Sequence, residues 1–299
     1  MTGAVKKALV PIAGRGTRMG PLARVFPKAL WPLIDQDGRP RPVLHFIIRE
    51  ALSAGIEHIG LIVSDDHMEF VQRYLRACAA ITNTSSRRRI ECIVQEEPKG
   101  FGHAVACGSE FVDGDPFMLL LGDHLHVTHD MRPTCAQQVA SAFAAEKAVA
   151  MVGVYTVGPD KLSSVGVAAG EHVGKSIYRC TEFVEKPSVD MARRHLVTEG
   201  LQPDEFLAHC GIYIFTCDIF ECLRCLMRSK RSRNEEVELA AAQAMLLEQQ
   251  AHDYYLVRVS GRVYDTGCPA GYLRAQRAFQ PNSSFIYSES FAECGVISI

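Results

Sequence analysis

The chain has 299 residues, 47% of them hydrophobic and 22% charged, with a formal net charge of −2. That composition supports a large apolar core and supplies no overall attraction to nucleic acid or to an anionic membrane. No apolar run reaches the ~18 residues that a membrane span requires, and the first apolar stretch ends at Pro11 before a charged glycine loop, so a signal peptide is not expected. Eleven cysteines without an export signal point to reduced thiols in a cytoplasmic protein. Cys222 and Cys225 form a CxxC pair with no second pair at zinc-ribbon spacing, and they read as packing thiols on a helix.

Apolar runs alternate with helical patterns along the first half. Lys7–Ala13 reads as a buried strand. Val43–Ala54 is a helix stopped by Gly55, and Ile56–Val63 is a second strand. His67–Ala79 reads as helix, 83–89 as a polar loop, and Ile90–Val94 as strand. A helix over Gly102–Phe111 precedes Phe117–Asp123, a strand apolar throughout, as a strand covered on both faces should be. Helix Pro133–Ala145 and strand Ala148–Val157 complete this half. The order implies an α/β fold with a mainly parallel sheet and helices on both faces.

After about residue 158 the elements are shorter. Strands are expected at Val165–Ala169, Ile177–Val184, Gly211–Phe215, Tyr254–Val259 and Arg262–Tyr264. Helices are expected at Ser188–Thr198, Asp218–Met227 and Val237–Glu248. Residues 281–299 show no clear periodicity and read as a C-terminal tail.

The loop after the first strand, AGRGTRMGP (Ala13–Pro21), suits a phosphate chain. Its glycines let backbone N–H groups approach closely, and Arg15 and Arg18 add charge. It lacks the Walker ending, and Met19 stands where the dinucleotide fingerprint needs a small residue. Pro21 and Pro27 oppose an immediate long helix, leaving an extended crossing, Val25–Leu33, that carries Lys28 between two prolines. A plain turn remains the alternative for the loop taken alone.

Three later segments carry chemistry-bearing residues. Gln95 closes the third strand, and Gly100 and Gly102 follow before a helix. Gln95 offers both donor and acceptor to a base edge, and His103 reads as a residue that packs or caps. Asp123 stands at the end of a buried parallel strand, where such sheets bind ligands, and its oxygens suit magnesium. His124, His126 and His129 follow it; only the first two share a face, and a surface or loop role is the expectation over a transition-metal site. Glu185-Lys186-Pro187, in isolation, is a common surface turn.

The ordered motifs resemble those of the sugar nucleotidyltransferases. G-x-G-T-R-M with P-K ten residues later, Q-x-x-x-x-G-x-G-H-A-V, G-D, E-K-P, the glycine of HCGIYIF and the Y-D-x-G of YDTGCPAGY occur in the family's order from about residue 5 to 280. The wider pattern most resembles the bacterial UTP–glucose-1-phosphate uridylyltransferase branch. The chain departs from it in the longer Asp35–Pro42 segment, in His124, and in Val165 where a tyrosine is usual.

The resemblance implies a Rossmann-like mixed, mainly parallel sheet in one domain, 1–280, with a nucleotide-binding half (1–157) and a sugar-binding half (158–280). It implies nucleotide contacts from Ala13, Gly14, Gly16, Thr17, Arg18, Gln95, Gly100 and Asp123. Sugar contacts fall to Gly166, Glu185, Lys186 and Gly211, and Mg2+ ligation to Asp123 and Asp265. Arg18, Lys28 and Lys186 are the implied catalytic cations. The implied partners are UTP and a sugar 1-phosphate, with no nucleic acid and no membrane, in a homo-oligomer. The expected chemistry is direct displacement at the α-phosphorus with pyrophosphate leaving. Transfer of a thymidylyl, adenylyl, cytidylyl or guanylyl group, and a non-catalytic nucleotide-sugar-binding regulator, are the alternatives. A nicotinamide dehydrogenase is disfavoured by the broken fingerprint.

Overall fold

The computed structural model describes residues 4–78, 88–128, 133–229 and 236–279. Its strands are β1 (Lys7–Pro11), β2 (Pro32–Ile34), β3 (Pro40–Pro42), β4 (His58–Ser64), β5 (Arg89–Gln95), β6 (Phe117–Leu120) and β7 (His124–Val127). They continue with β8 (Ala150–Val157), β9 (Gly166–Gly174), β10 (Ile177–Glu185), β11 (Phe206–Phe215), β12 (Tyr254–Arg258) and β13 (Arg262–Asp265). Nine of them form one sheet in the order β5-β4-β1-β6-β11-β8-β12-β10-β9. From β5 to β6 the pairings are parallel. β11 runs antiparallel to both β6 and β8, and β8 and β12 pair in parallel. The sheet is therefore mixed: β-α-β crossovers build the parallel part from β5 to β6, and β11, inserted between β6 and β8 and antiparallel to both, reverses the strand direction.

Apolar content explains the layering. All four residues of β6 and all ten of β11 are buried, so the centre of the sheet is covered on both faces. Helix Val43–Ser53 buries Val43, Leu44, Phe46, Ile47, Ile48 and Ala51 in the core on one face. Helices Asp218–Ser229 and Leu239–Gln250 contribute Ile219, Phe220, Leu223, Ala242 and Leu246 to the core on the other. No helix among the described residues is long and apolar enough to cross a membrane. The ten cysteines of the described residues are free, and of the CxxC pair Cys222 is buried and Cys225 exposed.

Several boundaries differ from the sequence expectation for identifiable reasons. The helix expected at Gly102–Phe111 is two, Phe101–Cys107 and Ser109–Val112. They meet at Gly108, where a Cβ would lie 2.4 Å from Leu9 Cδ1, so the chain packs closely on the Leu9 side chain of β1 there. The helix expected from Pro133 begins at Cys135, because Thr134 and Gln137 close a capping box. Val25–Leu33 is not wholly extended: Leu22–Val25 is a single helical turn and Lys28–Leu30 a 3-10 turn. β11 starts at Phe206 rather than Gly211. Its register shifts between His209 and Tyr213, and Gly211 takes φ +86° inside that bulge. Arg89, expected in a polar loop, opens β5; the rest of that loop up to residue 87, His129 and the 281–299 tail lie outside the described residues.

Candidate active site

The glycine loop leaves β1 at the edge of the sheet where the parallel strands end. Gly16 adopts φ +60°, and a Cβ there would be 2.8 Å from Ala23 Cβ, so the loop folds back tightly on the following turn. Ala13, Gly14, Gly16 and Thr17 line a cavity of about 550 Å3 together with Lys28, Gln95, Gly100 and Asp123. That volume suits a nucleotide-sized ligand. Arg15 and Glu236 also border it.

Asp123 does not belong to the strand it was expected to close. β6 ends at Leu120, and Leu121–Asp123 form a turn anchored by Leu121 N–H donating to Gly211 O at 3.0 Å. The next strand, β7, pairs antiparallel with β13, and in that register His124 faces Asp265. Thr266 N–H and Oγ1 both donate to the Asp123 carbonyl, at 2.7 and 2.8 Å. Asp123 and Asp265, 142 positions apart, are thereby brought together by backbone pairing. Asp123, His124 and Asp265 each offer a ligand atom, all within 4.8 Å of one another. Among the described residues this is the one cluster of its kind, and it is compact enough to hold a metal ion.

Cations surround these acids. Lys28 Nζ lies 2.5 Å from Asp123 Oδ2. Arg18 reaches Asp265 at 3.3 Å and Asp123 at 4.0 Å. Burial pushes the Asp123 carboxyl up, but the His124 hydrogen bond and the Lys28 charge outweigh it and hold the group well below the usual carboxylate range. Asp123 is thus ionised and ready to act as a ligand. Gly267 donates its N–H to Asp265 Oδ1 at 2.7 Å. A Cβ on Gly267 would fall 2.5 Å from Asp123 Oδ2 and 2.8 Å from Asp265 Oδ1, so only glycine allows the two carboxylates to converge.

At the other wall, the Gln95 side-chain NH2 donates to Gly100 O at 3.2 Å and meets His103 Nδ1 at 3.0 Å. The carbonyl can only accept, which orients the amide. His103 Nδ1 then accepts, so this imidazole is neutral; burial foremost, then the Lys99 charge, keeps its pKa low. Gln95 Oε1 is left as the atom available to a ligand. Gly100, at φ +97°, has room for no Cβ, which would lie 2.8 Å from Val237 O. Sequence reading gave no role to the 236–237 segment, yet Gly102 N–H donates to Val237 O and Val237 N–H to Lys99 O. The residues there carry no motif that could have marked it.

The remaining predicted residues sit on the neighbouring strands. Gly166 faces Glu185 across the β9–β10 hairpin, and a Cβ on Gly166 would lie 2.8 Å from Glu185 Oε2. Lys186 follows with φ +51°, its Nζ 3.5 Å from Glu185 Oε1 and more than half exposed. Phe183 stacks on His209 at 4.4 Å. Two residues on, Gly211 has His124 beside it, its Cγ 3.1 Å from where a Cβ would be. One run of contacts therefore links Lys186 and Glu185, through β10 and β11, to the turn that carries Asp123.

A family model described as nucleotidyl transferase matches residues 7–281. The chain is a member of this nucleotidyltransferase family. The nucleotidyltransferase is 30% identical over 294 residues to the UTP–glucose-1-phosphate uridylyltransferase of Bacillus subtilis, covering 92% of this chain and 91% of that one. It is 27% identical over 288 residues to the enzyme of the same name from Pseudomonas aeruginosa, with 91% and 94% covered. Among solved structures, a UDP-glucose pyrophosphorylase complexed with UDP-glucose superposes with a TM-score of 0.76 at 27% identity, covering 92% of this chain and 98% of that one. The protein is an enzyme, and the mixed α/β sheet flanked by helices is the family's fold.

Proposed function

We propose that this nucleotidyltransferase joins UTP to glucose 1-phosphate, giving UDP-glucose and pyrophosphate. The single observation that carries the reading is the convergence of Asp123 and Asp265 beside Arg18, Lys28 and the glycine loop. The similarity to uridylyltransferases over more than nine-tenths of the chain supports the choice of substrates.

In this reading residues 1–157 hold the nucleotide and 158–280 the sugar. The backbone of Ala13, Gly14, Gly16 and Thr17 lies along the triphosphate. Gln95 Oε1 accepts from the N3–H of uracil, a donor that cytosine lacks, and Gly100 lets the base lie flat against the chain. Glu185 accepts from sugar hydroxyls, with Gly166 and Gly211 leaving the space. Asp123 and Asp265 hold a divalent ion, Mg2+, which when bound neutralises phosphate charge. Their oxygen donors fit that ion.

The sugar phosphate is already anionic, so no residue need remove a proton. Lys186 positions the phosphate oxygen for in-line attack on the α-phosphorus, and the bond to the pyrophosphate oxygen breaks. Arg18 and Lys28 stabilise the charge that accumulates on the leaving group.

The test is pyrophosphate release measured across the five common triphosphates and a set of sugar 1-phosphates, with and without Mg2+. UTP with glucose 1-phosphate should exceed every other pair, and chelation should abolish turnover. A greater rate with another triphosphate, or none with any, overturns the reading. Lys186→Ala should lower turnover by roughly two to three orders of magnitude without unfolding the protein, because the lysine side chain is more than half exposed.

A further inference from the structure

We infer that His124 is a third ligand of the divalent ion, and that it shifts the ion preference of this enzyme from Mg2+ toward transition metals such as Co2+. The inference rests on the reading in which Asp123 and Asp265 hold the ion.

The geometry comes from two independent constraints. His124 Nδ1 lies 3.1 Å from Asp123 Oδ1, and adjacent ligands around an octahedral ion with bonds near 2.1 Å are about 3 Å apart. The β7–β13 register then sets His124 directly opposite Asp265. All three ligand atoms fall within 4.8 Å of one another, so small side-chain adjustments bring them onto one ion. His124 is also held where it is: its ring rests against Gly211, whose missing Cβ would come within 3.2 Å of His124 Cβ.

The neighbouring histidines are otherwise engaged. His126 Nε2 donates to Cys210 O at 2.7 Å, and His209 stacks on Phe183 and meets Tyr213 edge-on. An imidazole in the ligand set favours the later divalent metals over Mg2+, which prefers oxygen alone. Ligation through Nδ1 requires that nitrogen to be unprotonated, with the proton of the neutral imidazole on Nε2.

A structural alternative is that His124 merely donates to Asp123 and holds it in place. The substitution His124→Asn separates the two, since the amide retains a donor but removes the nitrogen ligand. The experiment uses the full chain with UTP and Mn2+ and without sugar phosphate. Pulsed electron paramagnetic resonance should show modulation from a directly bound imidazole nitrogen in the wild type, and its isotope pattern should change on 15N-histidine labelling. In His124→Asn the modulation should vanish while Mn2+ still binds, and the ratio of Co2+ to Mg2+ affinity should fall at least about tenfold.

Bound Mn2+ with no nitrogen modulation in the wild type overturns the inference and leaves the two-carboxylate reading intact. Mn2+ binding that survives Asp265→Asn unchanged, or no Mn2+ binding at all, overturns both. If His124→Asn does not fold, the wild-type signal and its response to the label still decide the matter.

Discussion

Lys28 Nζ lies 2.5 Å from Asp123 Oδ2, so the lysine between two prolines neutralises the carboxylate that ends the β6 turn. Both side chains are largely shielded, with under a fifth of each exposed. The attraction is therefore poorly screened, and a divalent ion held at Asp123, as proposed, would compete with the lysine for the same negative charge.

That competition gives the first prediction. Lys28→Met should raise the affinity of the free enzyme for divalent ions, measured by calorimetric titration, because a positive charge leaves the site. Turnover should nevertheless fall by roughly a hundred- to a thousandfold, because the same charge is lost from the leaving pyrophosphate. Equal loss of ion affinity and turnover would show that Lys28 supports the fold of the site rather than its chemistry.

The second concerns spacing. Gly267→Ala places a methyl group between the two carboxylates, 2.5 Å from one and 2.8 Å from the other in the present arrangement. The carboxylates must part by several tenths of an ångström or more. Turnover should drop by about two orders of magnitude, with the ion dissociation constant rising in parallel and the melting temperature changing little. Normal ion affinity in the alanine variant would mean that the two acids do not share an ion.

In the proposed reading, base selection rests on Gln95. Its NH2 group is committed to Gly100 O and His103, so discrimination falls to one acceptor atom. Gln95→Leu should lower kcat/KM for UTP roughly tenfold to a hundredfold and bring the UTP to CTP preference close to unity. The readout is the ratio of specificity constants, which a simple loss of stability would leave unchanged.

The fourth prediction is a pH dependence of stability. His209 is buried, its Nε2 has no hydrogen-bond partner in the described structure, and burial lowers its pKa from 6.5 to about 3. The unfolded chain binds the proton more tightly than the folded one. Stability is therefore lost as pH falls below about 6.5, and the loss continues until about 3. One such group contributes about 1.4 kcal/mol per pH unit within that window. His209→Phe keeps the aromatic stack on Phe183 and should flatten the acid limb of the stability curve by that slope, as measured by urea unfolding from pH 6.5 to 4.5. An unchanged slope would mean that His209 gains a partner or a proton in the folded state.

Much of this molecule was legible in its sequence. Period and composition located the parallel strands, because strands buried on both faces are apolar throughout. The glycine loop, Pro27-Lys28, Gln95, Gly-Asp and Glu-Lys-Pro could be picked out because glycine, proline and charged residues at a strand end carry local conformational or chemical requirements. The resemblance ordered them. Local signals misled where a tertiary contact set the boundary. Gly108, packed against Leu9, lies between two short helices where one was expected, and Gly211 sits within a strand, inside a bulge, rather than starting it.

What the sequence by itself determined is the set of groups able to bind phosphate, base, sugar and ion, since those are properties of residue types and short segments. Which of them meet was decided by tertiary structure alone. Asp123 and Asp265 converge because β7 pairs with β13 and Gly267 leaves the gap unfilled, and His124 enters the cluster by the same register. Pairing between strands more than a hundred residues apart depends on the packed sheet as a whole, and no local spacing encodes it.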